Sequence, residues 1–198
     1  MNPDVSELKK NLRAELRARI QLISPESRKA RSEMVCTRLL QQSIWRESKA
    51  ILLYAPLPDE VDIRPLFREA RIKGKTVILP RFDTVTGCYT MCEVNDFERD
   101  LVRAKFGILE PAEHCPPFLS KHLDFALVPG VGFNPLGARL GRGRGFYDRL
   151  LAQVSGMKCG VAFNEQILPH IPTAPHDVRM NFVLTPERWL DASSSEVA

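Results

Sequence analysis

Leu8, Leu12, Leu16 and Ile20 recur every four residues and leave a single apolar stripe on a polar background, which predicts a helix near the N-terminus. Ser24-Pro25 then restarts a helix: a hydroxyl suited to capping, followed by a ring whose missing N–H is not needed in a first turn. This second helix is expected to run through Met34, Val35, Leu39 and Leu40 toward Trp45. After that the rhythm changes. AILLYAP (50–56) is a short continuous apolar run, the pattern of a strand covered on both faces. DIRPLFREARIKG (62–74) reads as a helix stopped by Gly74.

TVILPRF (76–82) follows as a second buried strand and CYTMCEV (88–94) as a more exposed one. FALVPGVGF (125–133) is a further strand, the stretch from Gly145 past Leu151 a helix, and KCGVAFN (158–164) and NFVLTPE (181–187) the last strands. Strands alternating with helices predict an α/β fold with a mostly parallel central sheet flanked by helices, the N-terminal helical pair packed on it. With no repeat and no linker, the chain 1–198 reads as one domain, and 189–198 as a frayed tail.

Composition narrows the partners. The 198 residues are 44% hydrophobic and 26% charged, ordinary for a globular protein long enough to bury a core. A formal net charge of +4 favours anionic ligands without forming a polybasic tail. Cys36, Cys88, Cys92, Cys115 and Cys159 are odd in number and include no C-x-x-C pair, so reduced buried thiols are expected. The start, MNPDVSELKKNL, lacks the apolar core of a signal peptide, and no window approaches the ~18 apolar residues a membrane helix needs. The expected setting is the cytoplasm, with an organellar form left open.

RLGRGRGFYDR (139–149) raises the chemical question, with four arginines and three glycines between a strand and a helix. Gly141, Gly143 and Gly145 let backbone N–H groups approach a ligand, and the helix start beyond them adds partial positive charge. Arg139, Arg142 and Arg144 supply forked donors for phosphate oxygens. A nucleic-acid backbone and the phosphates of one nucleotide both fit such a loop. Asp148 sharpens the reading: a carboxylate beside phosphates calls for a cation between them, magnesium above all, although an acid also suits a first helical turn.

Lys9, Arg13 and Arg17 fall four apart on the first helix, either a solvated face offset by Glu7 and Glu15 or an anion site. Asp59, Glu60 and Asp62 cluster after a strand, and His176-Asp177 occupies a loop. Gly74-Lys75-Thr76 is a decoy for a P-loop, because its upstream glycine position is Glu69 and a strand follows.

Together these stretches resemble the 5-formyltetrahydrofolate cyclo-ligase family. The resemblance spans Lys9 to about Thr185 and rests on Lys9 with Leu12-Arg13, LLYAPLPDEVD, GKTVILPRF, FGILEP, LVPGVGFNPLGARLGRGRGFYDRLL, GVAFNEQ and PHDV. The long loop carries the specificity, with Arg142 and Phe146 at variable places of the family pattern and Arg144 where members vary between glycine and a basic residue.

The resemblance implies an ATP- and Mg²⁺-dependent closure of 5-formyltetrahydrofolate to 5,10-methenyltetrahydrofolate, releasing ADP and phosphate. It implies ATP contacts from Lys9, Lys10, Arg13 and the run Arg139, Leu140, Gly141, Arg142, Gly143, Arg144, Gly145, Phe146 and Tyr147. Of these, Arg142, Arg144 and Tyr147 would be catalytic, and the loop from Arg142 through Gly143, Arg144 and Gly145 to Phe146 would also meet folate. Tyr54 and Glu60 would hold folate, with Phe106 as a further wall, and Asp148 and Asp177 would hold magnesium. The expected partner is a small folate, polyglutamylated or not, bound by a monomer without nucleic acid or membrane. A relative of the same fold acting on another substrate, and a nucleic-acid binder, are the alternatives.

Overall fold

The computed structural model describes residues 4–104 and 107–193. In chain order these form α1 (Val5–Gln21), α2 (Pro25–Leu40), α3 (Ser43–Glu47), β1 (Ala50–Leu52), α4 (Arg64–Ile72), β2 (Thr76–Asp83) and β3 (Cys88–Glu93). Next come β4 (Leu101–Arg103), β5 (Leu109–Pro111), β6 (Phe125–Pro129), β7 (Gly132–Phe133), β8 (Arg139–Leu140) and α5 (Phe146–Leu151). The described chain closes with β9 (Met157–Val161), β10 (Phe182–Leu184) and β11 (Trp189–Asp191).

A seven-stranded sheet runs β11-β10-β9-β6-β1-β2-β3. Its five central strands are parallel; β3 and β11 close the two edges antiparallel. The expected α/β fold with a mostly parallel sheet is therefore present. Alternation along the strands sorts the core: Ile51 and Leu127 face the cluster containing Leu39, Leu66 and Phe163, while Leu52, Ala126 and Val128 face the one containing Leu150 and Leu151. Burial on both faces explains why these strands read as unbroken apolar runs.

The helix starts follow their capping chemistry. Asp4 accepts from the Ser6 N–H, and Ser24 Oγ accepts from the Ser27 N–H with Pro25 in the first turn. The helical pair divides its work: α2 packs Val35 and Leu39 onto the sheet, whereas Leu16 of α1 packs on Val131, Ala138 and Leu140 of the β7–β8 ribbon.

Several expectations are corrected. α2 does not continue to Trp45. On a continued helix Trp45 would lie about 240° around from Leu39; the break before α3 instead buries both in one cluster. The expected strand 125–133 ends at Pro129, and β7 leaves the sheet to pair with β8. Phe133 turns its ring back over the sheet, and a Cβ at Gly130 or Gly160 would lie 2.6 or 2.3 Å from that ring, so both glycines make room for it. Residues 189–191, expected to fray, form a strand instead: Trp189–Asp191 pairs with β10.

The β4–β5 ribbon has no counterpart in the sequence reading. CYTMCEV, expected as a more exposed strand, forms β3 at one antiparallel edge of the sheet. Gly74 ends α4 at φ +65°, and Lys75 is structural: its ammonium donates to the Ser48 and Arg46 carbonyls. All five cysteines are free, four of them buried. No helix among the described residues is long and apolar enough to cross a membrane.

Candidate functional site

A cleft of about 840 Å³ opens beyond the carboxyl ends of β1 and β6, where open α/β sheets place ligands. Among the segments that meet in it are Lys9, Arg13 and Arg17 from α1, Tyr54 and Glu60 after β1, the run Arg139 to Asp148, and Asp177. All the described site residues expected from the sequence line it except Lys10. Lys10 is exposed and lies about 100° around the helix from Lys9. Phe106 lies outside the described residues.

The three basic positions of α1 share one face because each step of four residues nearly completes a turn. Arg13 Nε donates to the Gly141 carbonyl at 2.8 Å, and the Lys9 ammonium donates to Asp177 Oδ2 at 2.5 Å. The helix thereby holds the glycine loop and the His176-Asp177 loop together. Glu15 does not balance this cluster; it pairs with Arg19. Burial works against the charge of Asp177, but Lys9 and the Ala174 N–H outweigh it and hold the carboxyl below its usual range.

The arginines of the loop part company. Arg139, on β8, is only 5% exposed; it donates to Asp148 Oδ1 at 2.7 Å and to the Pro129 carbonyl, and it lies over the Tyr147 ring. Expected as a phosphate fork, it forms part of the cleft floor, with its two Nη groups donating to protein and its buried Nε without a hydrogen-bond partner among the described residues. Leu140 is also buried, packed with Leu16 and Val131, which leaves only its main chain toward the cleft. Arg142 is exposed and donates to Asp59 at 2.7 Å and to Glu60 Oε1 at 3.0 Å. Gly143 and Gly145 have φ of +103° and +65°, a backbone that L side chains rarely adopt. That conformation brings the loop against Arg13, 3.4 Å from where a Cβ at Gly143 would lie.

Glu60 is nearly enclosed, and one of its oxygens caps the Leu57 N–H. Burial raises its carboxyl above the ordinary range, with Arg142 opposing. Tyr54 is enclosed too, its hydroxyl committed to the Val61 carbonyl, so only its ring can serve as a wall. Burial lifts Tyr147 well above the usual phenol range and keeps its O–H a donor.

Two residues of the cleft lining, Tyr89 and Glu110, were not among the expected site residues. Tyr89 lies opposite Phe82 in the β2–β3 register, and these two join Phe146 and Tyr147 in one aromatic cluster with ring centroids 4.8 to 6.1 Å apart. Glu110, on β5, is buried in the cleft lining, accepts from the Phe82 N–H, and is raised by burial. For Tyr89 the available signal was cross-strand register, which pairs it with Phe82; Glu110 lies within FGILEP, a stretch that carries the family resemblance, but was not singled out there.

Comparisons with known proteins bear on the family and the fold. A sequence model described as the 5-formyltetrahydrofolate cyclo-ligase family matches residues 5–186. The mouse 5-formyltetrahydrofolate cyclo-ligase is 30% identical over 191 residues, covering 91% of this chain and 94% of that protein. The solution structure of 5,10-methenyltetrahydrofolate synthetase from Aquifex aeolicus superposes with a TM-score of 0.84 at 35% identity, covering 96% of each chain. A 5,10-methenyltetrahydrofolate synthetase from Mycoplasma pneumoniae, at 22% identity and a TM-score of 0.71, shares the fold over 90% of this chain and 98% of its own.

Proposed function

The chain belongs to the 5-formyltetrahydrofolate cyclo-ligase family, and from that premise we propose that the cleft joins ATP to 5-formyltetrahydrofolate and closes the folate ring. The observation that carries the reading is Arg142. It stands on the glycine loop suited to phosphates, yet it bonds the buried Glu60 carboxylate suited to pterin N–H donors, so the two ligand sites meet at one guanidinium.

Closure needs a leaving group, because an amide-like formyl oxygen departs poorly. In the proposed sequence that oxygen attacks the γ-phosphorus and ADP leaves. N10 then attacks the formyl carbon, loses its proton, and phosphate departs with the former formyl oxygen, leaving the methenyl bridge. The chain's contribution is to orient two ligands and to place donors where charge develops. Lys9, Arg13 and Arg142 reach the phosphates by exchanging their present partners, Asp177, the Gly141 carbonyl and Asp59, for phosphate oxygens. Arg144 and the protonated Tyr147 hydroxyl supply further donors beside them. Glu60 holds the pterin edge, with Tyr54 and Phe146 as walls.

The donor set also fits magnesium. Asp148 and Asp177 both line the cleft, and each engages its basic neighbour through a single oxygen. A hard divalent ion takes one or two carboxylates and fills its remaining positions with phosphate oxygens and water, neutralising phosphate charge there.

Mixing the protein with 5-formyltetrahydrofolate, Mg²⁺ and ATP is expected to raise the methenyl-folate absorbance band, and only when ATP is present. An ATP-binding protein that yields no band would overturn the folate assignment, and failure to bind ATP would overturn the reading as a whole.

A further inference from the structure

Away from the cleft, Asp100, His114 and Cys115 bring a carboxylate oxygen, an imidazole nitrogen and a thiol sulfur within 4.8 Å of one another. It is the one such group of three among the described residues. We propose that these side chains bind a zinc-class divalent transition ion that clips the root of the β4–β5 ribbon.

The site is prepared by its backbone. Asp100 immediately precedes β4, and its Oδ2 accepts the Asn95 and Asp96 N–H groups at 2.8 and 2.9 Å, which fixes the carboxylate. Its Oδ1 faces His114 Nε2 at 3.0 Å. The Asp100 carbonyl accepts both the Ala112 N–H, just past β5, and the Cys115 thiol, so the two ends of the ribbon close on this one residue. Cys115 is 2% exposed and packs on Cys92 and Ala112, whereas the His114 side chain is 63% exposed. Three protein ligands with an open side give the coordination of a zinc ion that keeps one water.

The mixed S, N and O set selects against magnesium, which prefers oxygen alone. Binding the metal as a thiolate would release the Cys115 thiol proton. Arg81, bonded to the Ala112 carbonyl, is the cation facing this group. The ribbon so clipped carries Leu109 and Glu110 into the cleft lining, yet none of the three ligands touches the cleft. The proposal therefore stands or falls independently of the folate reading.

The test is a Co²⁺ titration of the chelator-treated full chain in excess Mg²⁺. One equivalent is expected to give a thiolate-to-cobalt charge-transfer band that Zn²⁺ abolishes. His114→Ala, at an exposed position, keeps the fold by circular dichroism. It should weaken binding by at least the ten- to hundred-fold, roughly, that even outer-shell partners are worth. Cys115→Ser should remove the band. Binding without a thiolate band, binding unchanged in His114→Ala, or no binding at all overturns the proposal.

Discussion

The two walls of the cleft are built on different principles. The basic wall, Lys9, Arg13 and Arg142 with Asp177 and the glycine loop, is held by charge: each of those cations already has a protein partner. The aromatic wall, Tyr89, Phe146 and Tyr147 with Phe82 packed against them, is held by packed rings. A wall of exchangeable pairs can release its donors to an anion at the cost of the contacts it gives up. A wall of packed rings presents the same face before and after binding. The basic half is thus the one expected to rearrange and the aromatic half the one to stay. Arg139 breaks this division, since it belongs by sequence to the basic run and by structure to the fixed floor.

Arg139 therefore offers the largest effect. Arg139→Ala leaves Asp148 without its cation in a poorly solvated position, and breaking a buried pair in this way costs about 3–5 kcal/mol. Equilibrium urea unfolding checks it. A loss no greater than about 0.5 kcal/mol, the scale of an ordinary surface substitution, would return Arg139 to the exchangeable wall.

Glu60 comes next and separates function from stability. Under the folate reading, Glu60→Gln loses charged hydrogen bonds worth about 1.5–3 kcal/mol, which raises KM for folate roughly ten- to hundred-fold, with that for ATP little moved. Stability should move the other way. Because burial raises the Glu60 carboxyl in the folded protein, the folded state binds more protons than the unfolded one as pH climbs past the ordinary carboxylate range. Glu60 therefore lowers stability through that window and above it. The ligand-free glutamine variant should equal the parent in acid and match or exceed it at neutral pH. Thermal melts along a pH series decide, and a variant less stable at neutral pH would show that the Arg142 pair outweighs the burial cost.

How much of this was legible follows from where the information sits. The α1 stripe, the Ser24-Pro25 start and the doubly covered strands carry their own periods, so they could be read directly. The charged half of the cleft announced itself because residue types rare together, three glycines among arginines and then an acid, lie in one run. The aromatic half was legible only where it belongs to that same run, at Phe146 and Tyr147; Tyr89 reaches the cleft only because β3 returns antiparallel beside β2. Glu110 comes from a ribbon of three-residue strands, too short to show alternation. Arg139 looks like Arg142 and Arg144 in sequence; what buries it is the pairing of β8 with β7, which no local pattern encodes.

The smallest effect on stability belongs to Arg144, and it tests the exchangeable wall most directly. Arg144 is exposed on the loop between two glycines of positive φ, away from the packed core. Arg144→Ala should leave unfolding within about 0.5 kcal/mol of the parent, as surface changes do. Arg144 lines the cleft, where its charge acts on the Tyr89 phenol and adds to the proposed phosphate site. Losing one charged hydrogen bond at the weak end of the range, about 1.5 kcal/mol, raises KM for ATP roughly tenfold. Steady-state kinetics against ATP and folate separately give the answer. A rise confined to ATP assigns Arg144 to the basic wall, whereas a rise confined to folate would place it with the aromatic one.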